Sequence, residues 1–314
     1  QPTLQRGEGY EAIFSEGRAE FRRHDGDFDT HTEIVVSPED DIELRRVLIT
    51  NSSAVRRTLE VTSYAEVVLA PAAADNLHPA FSKLFVQTEI VAAQRAILCR
   101  RRPRSRDEVA PWMFHLMAVH DAPVAEFSFE TDRERFVGRG LAVSAPRAMQ
   151  AGTMLSASQG SVLDPVVAVR ALITFEPDQT VSVDLVYGIG DSRDAVLGLV
   201  TKYQDQRLAD RVFELAWTHA QVVLRQINAS EADAQLYGRL ANSVIFANSA
   251  MRAESSILMR NRRGQSGLWG YSISGDLPIV LLRIGDLSNI ELVRQLIQAC
   301  LLYTSDAADE NRLV

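Results

Sequence analysis

Residues 181–185 read VSVDL, in which Val181, Val183 and Leu185 alternate with Ser182 and Asp184. Strict alternation is the period of a β-strand that rests one face on a core and turns the other to solvent. The same pattern occurs upstream, where Leu59 and Val61 are set against Glu60 and Thr62. Short apolar or β-branched runs recur up to about residue 190, separated by turn-rich or charged pieces such as SPEDD at 37–41 and NSS at 51–53. Many such strands without βαβ spacing predict a large antiparallel β-sandwich.

After Gly190 the period changes. Leu208, Val212, Leu215, His219 and Val222 fall at steps of three and four, the stripe of an amphipathic helix, on which His219 reads as a core histidine. A second helix is expected from Ser230, where Asp233 comes close to completing a capping box and Leu236, Leu240, Val244, Ala247 and Met251 share one side. A third is expected near Ser288, with Glu291 completing its box. We therefore read residues 1–190 as sandwich, 191–228 as a helical linker and 229–299 as the start of a further helical domain. The string CLLYTSDAADE from Cys300 to Glu310 does not follow this pattern and resembles a translated sequencing adapter, so 300–314 is expected to be a non-native tail.

With 46% hydrophobic and 24% charged residues among 314, the composition excludes disordered and fibrous classes. The net charge of -8 argues against duplex nucleic acid as a partner, because Lys and Arg neutralising phosphates supply most of that affinity. Two distant cysteines, Cys99 and Cys300, give neither a disulfide framework nor a zinc spacing, and a reducing compartment fits. The first residues lack the apolar run of a signal peptide, and Gln1 in place of Met suggests a start within a longer protein. No apolar run approaches the ~20 residues that span a bilayer, so any membrane link is expected elsewhere.

Between the last two helices lies a segment without a clean period, and loops on a helical scaffold are where binding chemistry concentrates. It brings Arg260, Arg262, Arg263, Gln265, Trp269 and Asp276 together with Gly264, Gly267, Gly270 and Gly275. Asp and Arg can chelate neighbouring hydroxyls, Trp can stack on a pyranose face, and glycine lets backbone approach a ligand. On these residues alone two readings stay open: a sugar subsite, or an interhelical loop whose Asp276 caps a helix with Pro278 in its first turn.

The stretch NRRGQSGLWGYSISGDLPIVLLRI at 261–284 resembles the segment that opens the catalytic barrel of glycoside hydrolase family 94, formerly glycosyltransferase family 36. VSPEDDIELRRVLITNSS, EVTSYAEVVLA, HPAFSKLFVQTE and FETDRERFVGRG resemble that family's amino-terminal supersandwich, so the likeness runs over residues 8–299. It is nearest to the phosphorylase-like region of cyclic β-1,2-glucan synthases. One position departs: the family reads Gly-Ile-Ser-Gly-Asp, and Ser272 stands where its first glycine is expected.

The resemblance implies a β-sandwich followed by the start of an (α/α)6 barrel over 229–299. It implies an inverting phosphorylase of β-linked, especially β-1,2-linked, glucans, in which inorganic phosphate attacks the anomeric carbon and one carboxylic acid protonates the leaving oxygen. Phosphate is a co-substrate, and no cofactor or metal is expected. Asp276, Arg262, Arg263, Gln265, Trp269 and Gly275 would hold the sugar, while the general acid and the phosphate ligands would lie downstream, so these residues alone are expected to show no turnover. The implied partners are a β-glucan oligosaccharide or glucose-1-phosphate. The implied location is cytoplasmic, including the cytoplasmic side of the inner membrane for a larger membrane protein. A stand-alone cellobiose, chitobiose or β-1,2-oligoglucan phosphorylase, for which a homodimer is expected, and a non-catalytic carbohydrate-binding module are the alternatives.

Other motifs carry blander readings. His24, Asp25, Asp27, Asp29 and His31 have metal-ligand chemistry but lack the glycine and closing Glu of a calcium loop, and read as an exposed inter-strand turn. The arginine-rich run 100–106 reads as a solvated loop or an internal partner of acidic residues. His78, beside Pro79, could face a barrel entrance. GQSG at 264–267 is one spacer short of a nucleophile elbow, and Walker and dinucleotide signatures are absent.

Overall fold

In the computed structural model, which describes residues 7–103, 105, 110–246 and 248–304, Val181 and Val183 are fully buried, but so is Asp184, and Ser182 nearly so. The polar face of this strand was expected in solvent; it lies instead under a layer of helices. The sheet therefore has two covers, and alternation revealed the strand without revealing the second.

The strands run β1 (Gly9–Ser15), β2 (Arg18–Asp25), β3 (Phe28–Val36), β4 (Ile42–Asn51), β5 (Arg57–Thr62), β6 (Ala65–Glu66), β7 (Val86–Val91), β8 (Ala96–Arg101), β9 (Trp112–His120), β10 (Val124–Asp132), β11 (Pro165–Phe175) and β12 (Thr180–Gly190). Eight form one antiparallel sheet in the order β1-β2-β3-β4-β12-β9-β8-β7; β10, β11 and β5 form a second, with β6 added to β11. Ile49, Met117, Val181 and Val183 of the large sheet meet Val167, Val169, Ala171 and Ile173 of the small one, which makes the sandwich core. Short helices α1 (Ala72–Leu77), α2 (Pro79–Lys83) and α3 (Arg133–Val137) fill connections.

The helices that follow the last strand are α4 (Arg193–Tyr203) and α5 (Gln206–Gln226). Val196, Val200, Tyr203, Ala209, Val212 and Ala216 pack on Leu44, Leu98, Phe114, Leu116 and Val186, the other face of the large sheet. The chain divides into two compact units at Trp217/Thr218, within α5. His219, expected in a core, is exposed, because the covered side of α5 runs through Ala209, Val212 and Ala216 and continues in steps of four to Ala220 and Leu224, which leaves His219 beside it.

Polar burial under the helical layer is organised around one ion pair. Arg46 donates from Nε and Nη2 to the two carboxylate oxygens of Asp184 at 2.8 and 2.9 Å, and from Nη1 to Asp210 on α5 at 2.5 Å. Its guanidinium also covers the Phe213 ring at 5.0 Å. Burial opposes ionisation of Asp184, but the Arg46 fork and His120, 3.4 Å away, outweigh it and hold the carboxyl below its usual range.

A second buried polar pair lies in the first unit. His115 Nδ1 sits 3.3 Å from the Val186 carbonyl, which can only accept, so Nδ1 carries the proton and Nε2 accepts from Ser63 Oγ at 2.7 Å. Ser63 and His115 thus have the spacing of a nucleophile and its base. Both are sealed in the core, however, with His115 stacked on Tyr187, so the pair serves packing. Burial depresses the imidazole from 6.5 to about 3. The unfolded chain then binds a proton that the folded chain refuses, and stability falls as pH drops below 6.5 towards about 3. This component amounts to at most about 1.4 kcal/mol per pH unit. His115→Gln should flatten the acid limb of a plot of urea midpoint against pH; an unchanged slope would mean that the imidazole is reached by protons in the folded state.

The second unit contains α6 (Glu231–Ile245), α7 (Ser255–Arg260), the single turn α8 (Ser266–Trp269) and α9 (Ile290–Thr304). Ser230 and Asp233 form a complete capping box at the start of α6. The buried face of α6 is Ala234 and Tyr237, whereas Leu236 and Met251, expected on the packed side, are exposed, and Ala247 lies outside the described residues. Tyr237 Oη donates to Gln298 Oε1 of α9 at 2.8 Å, and Gln298 Nε2 donates to the carbonyls of Ile227 and Asn228 at 2.9 and 2.8 Å. A single buried amide thereby satisfies two carbonyls beyond the end of α5 and fixes which side of α6 is covered. The approach to α9 also differs from expectation: Asp286, not Ser288, is the cap, accepting from Ser288 N at 2.7 Å in a short 3-10 turn, Leu287–Asn289, that precedes α9. Within the expected tail, Cys300 to Thr304 continue α9, and residues 305–314 lie outside the described residues. No helix among the described residues is long and apolar enough to cross a membrane.

Candidate functional site

In the Gly-rich segment of the second unit, the turn α8 and the irregular run after it are drawn together by one side chain. Gln265 Nε2 donates to the Ser274 carbonyl at 2.8 Å and to Asp276 Oδ1 at 2.6 Å. Trp269 Nε1 reaches the same carbonyl at 3.3 Å, which orients the indole. Gly275 adopts φ +75°, and a Cβ there would stand 2.9 Å from Leu268 and 3.0 Å from Gln265, so glycine is required both for the turn and for the clasp to close. Gln265, Trp269, Gly275 and Asp276 are thus brought together.

The alternative in which Asp276 caps a helix does not occur, since Leu277 to Gly285 is irregular and Pro278 starts no helix. The carboxylate accepts from Gln265 at Oδ1, leaving Oδ2 open, and the site is exposed: Trp269 is 63% accessible. Arg262 and Arg263 are exposed as well, and their guanidinium groups have no ion-pair partner among the described residues. Arg260 instead donates to the Ser256 carbonyl of its own helix at 3.1 Å. The arrangement offers a pre-oriented carboxylate, an indole face and two uncommitted guanidiniums on one loop, a chemistry suited to hydroxyl-bearing ligands.

Ser272, where glycine was expected, has φ +60°. A Cβ in this left-handed region costs about 1–2 kcal/mol, which glycine avoids at some cost in unfolded-chain entropy. Ser272→Gly should accordingly stabilise the second unit by up to about 1 kcal/mol. A thermal melt resolves this; a lower melting temperature would show that the seryl side chain makes a compensating contact.

The remaining motifs lie elsewhere, in the first unit. In the β2–β3 hairpin Gly26 turns at φ +56°, Asp25 pairs with Arg23, Asp27 with Arg57, and Asp29 with His24 Nδ1 at 2.7 Å and Ser52 Oγ at 2.5 Å. Of the arginine run, Arg100 donates to Gln87, Arg101 to Ser82, and Arg102 to the Leu84 carbonyl; Arg104 and Arg106 lie outside the described residues. His78 is exposed at the junction of α1 and α2. Cys99 is buried, its thiol pushed up to about 12 by desolvation, and both cysteines are free thiols.

This is the architecture of a carbohydrate-active region, an antiparallel sandwich followed by helices. Residues 1–206 match the model of the glycosyl hydrolase 94 supersandwich domain, and the chain belongs to that family. It is 32% identical over 299 residues to the cyclic beta-(1,2)-glucan synthase NdvB of Rhizobium meliloti (strain 1021), a match that covers 95% of this chain and 11% of the relative's length. Among solved structures, a polysaccharide lyase overlaps 56% of this chain and 22% of its own, at 12% identity and a TM-score of 0.33. A protein described as a kojibiose phosphorylase from the human microbiome overlaps 65% of this chain and 22% of its own, at 7% identity and a TM-score of 0.32. Likeness at these scores carries no argument about activity.

Proposed function

We propose that the chain is the sugar-holding portion of an inverting phosphorylase acting on β-1,2-linked glucans. In this reading the sandwich to residue 190 and the linker helices to 228 present the first helices of an (α/α)6 barrel, 229–299. The observation that carries it is the Gln265–Asp276 clasp, with 2.6 Å between Nε2 and Oδ1, in a chain of glycosyl hydrolase family 94. Asp276 would chelate hydroxyls of the sugar whose bond is broken, Arg262 and Arg263 would add charge-assisted donors, and Trp269 would stack on a pyranose face.

Inorganic phosphate would attack the anomeric carbon while one carboxylic acid protonates the leaving oxygen; a single carboxyl group suffices because phosphate replaces both water and its base. That acid and the phosphate ligands would be supplied by chain outside these 314 residues. The test is an assay for glucose-1-phosphate from a β-1,2-linked gluco-oligosaccharide and inorganic phosphate, run on this chain and on a longer enzyme that contains it. Release by the longer enzyme alone is the expected result. Phosphate-independent hydrolysis by the longer enzyme would overturn the phosphorylase reading, and release by this chain would overturn the placement of the acid.

A further inference from the structure

On the helical face of the large sheet, covering helices reach the row that contains Arg46 and Asp184, where Asp210 and Phe213 of α5 close over it. The next two cross-strand rows of the same face are left uncovered by the described residues and floor a groove of about 540 Å³. One row runs Glu11, Arg22, His31 and Leu48 across β1 to β4. The other runs His24, Asp29, Thr50 and Thr180 across β2, β3, β4 and β12. We infer that this groove is a saccharide-binding site of the supersandwich itself.

Its polar groups are held in place yet not used up. His24 Nδ1 is tied to Asp29 at 2.7 Å, and Thr50 and Thr180 hydroxyls lie 2.8 Å apart, which leaves one of the two protons free to donate outward. His31 Nε2 is engaged by Glu20 at 3.0 Å, and its Nδ1 has no hydrogen-bond partner among the described residues. Arg22 meets carboxylates only at 3.5 Å (Glu11) and 3.9 Å (Glu20), so most of its five donors are uncommitted. Leu48 lies between these groups and supplies an apolar patch against which the C–H face of a sugar ring can rest.

Acidic Glu11 and Asp29 outnumber Arg22 by one charge, and Arg23 is neutralised by Asp25, so the groove has no net attraction for an anion. A metal ion is also disfavoured. Glu20, His31 and Glu33 do place ligand atoms within 4.8 Å of one another, but Arg18 already bridges both carboxylates at 2.8 Å each. Donors and acceptors of both signs beside a C–H floor match a neutral polyhydroxylated ligand, and the volume lies within the roughly 300–1,000 Å³ of small-molecule sites.

Isothermal titration of the 314-residue chain with a β-1,2-linked glucotetraose tests this. Arg22→Ala and Glu11→Gln change exposed side chains, and the buried Glu20 that Arg22 approaches at 3.9 Å keeps Arg18 and His31 as partners, so melting temperatures should hold. Each should weaken binding about tenfold, the worth of a lost charge-assisted hydrogen bond. Trp269→Ala should leave the groove's binding intact. Absence of wild-type binding up to about 10 mM, or unchanged affinity in both groove variants, overturns the proposal. Binding abolished by Trp269→Ala and untouched by Arg22→Ala would overturn it too, while supporting the loop as the sugar-holding site.

Discussion

Asp184→Ala is expected to destabilise the first unit by about 3–5 kcal/mol, the cost of leaving one member of a buried ion pair without its partner. Asp184 is fully buried, and its two oxygens take a two-pronged contact from Arg46. Without it, Arg46 keeps Asp210 as its one ion-pair partner among the described residues, and that side chain is 50% exposed and therefore a weaker compensating charge. The loss reflects the uncompensated guanidinium more than the worth of the pair, so Arg46→Met combined with Asp184→Leu should recover most of it. The sign with pH follows from the lowered carboxyl of Asp184. Its stabilisation is complete above the ordinary Asp range and is lost as pH falls through the depressed folded-state value. Urea midpoints of the single and double variants decide the matter. If the double variant is as unstable as Asp184→Ala, the charge argument fails and the cost is a packing defect.

That ion pair also shows where reading the sequence stops. Alternation at 181–185 located the strand, because side-chain direction in a strand is a local property. What covers each face is not local: Arg46 and Asp184 are 138 positions apart, and nothing near either residue announces the helix that covers them. The capping box at Ser230 was legible because its partners are three residues apart; the face that α6 buries was not, because Gln298 of α9 settles it. The buried Ser63–His115 pair, 52 positions apart, had no sequence signal at all. In the candidate site the residue types were legible as sugar-binding chemistry. The clasp was not, since the contact of Gln265 with Asp276 depends on a left-handed Gly275 and on the turn α8, neither of which has a period to read. Ser272 is a further case: the departure from the family pattern was visible, and its cost became physical only with a positive φ.

In a longer enzyme that contains this chain, Asp276→Asn should lower kcat/KM for phosphorolysis about a hundredfold or more, as loss of two charge-assisted hydrogen bonds to hydroxyls implies. The substitution discriminates well because it preserves shape. Asn can still accept from Gln265 Nε2 through Oδ1, so the clasp at 2.6 Å survives and any loss reports the charge, not collapse of the loop. Gln265→Ala should act differently: it removes the group that orients the carboxylate without touching its charge, so a smaller loss is expected, weighted towards KM if Asp276 binds ground and transition states alike. A positioning role predicts that Gln265→Asn, too short to span both Ser274 and Asp276, fails to rescue, whereas Gln265→His, with a ring N–H that reaches one of them, rescues in part. Unchanged kinetics in Asp276→Asn would remove this carboxylate from the site and leave Trp269 and the arginines as a binding surface without a catalytic sugar.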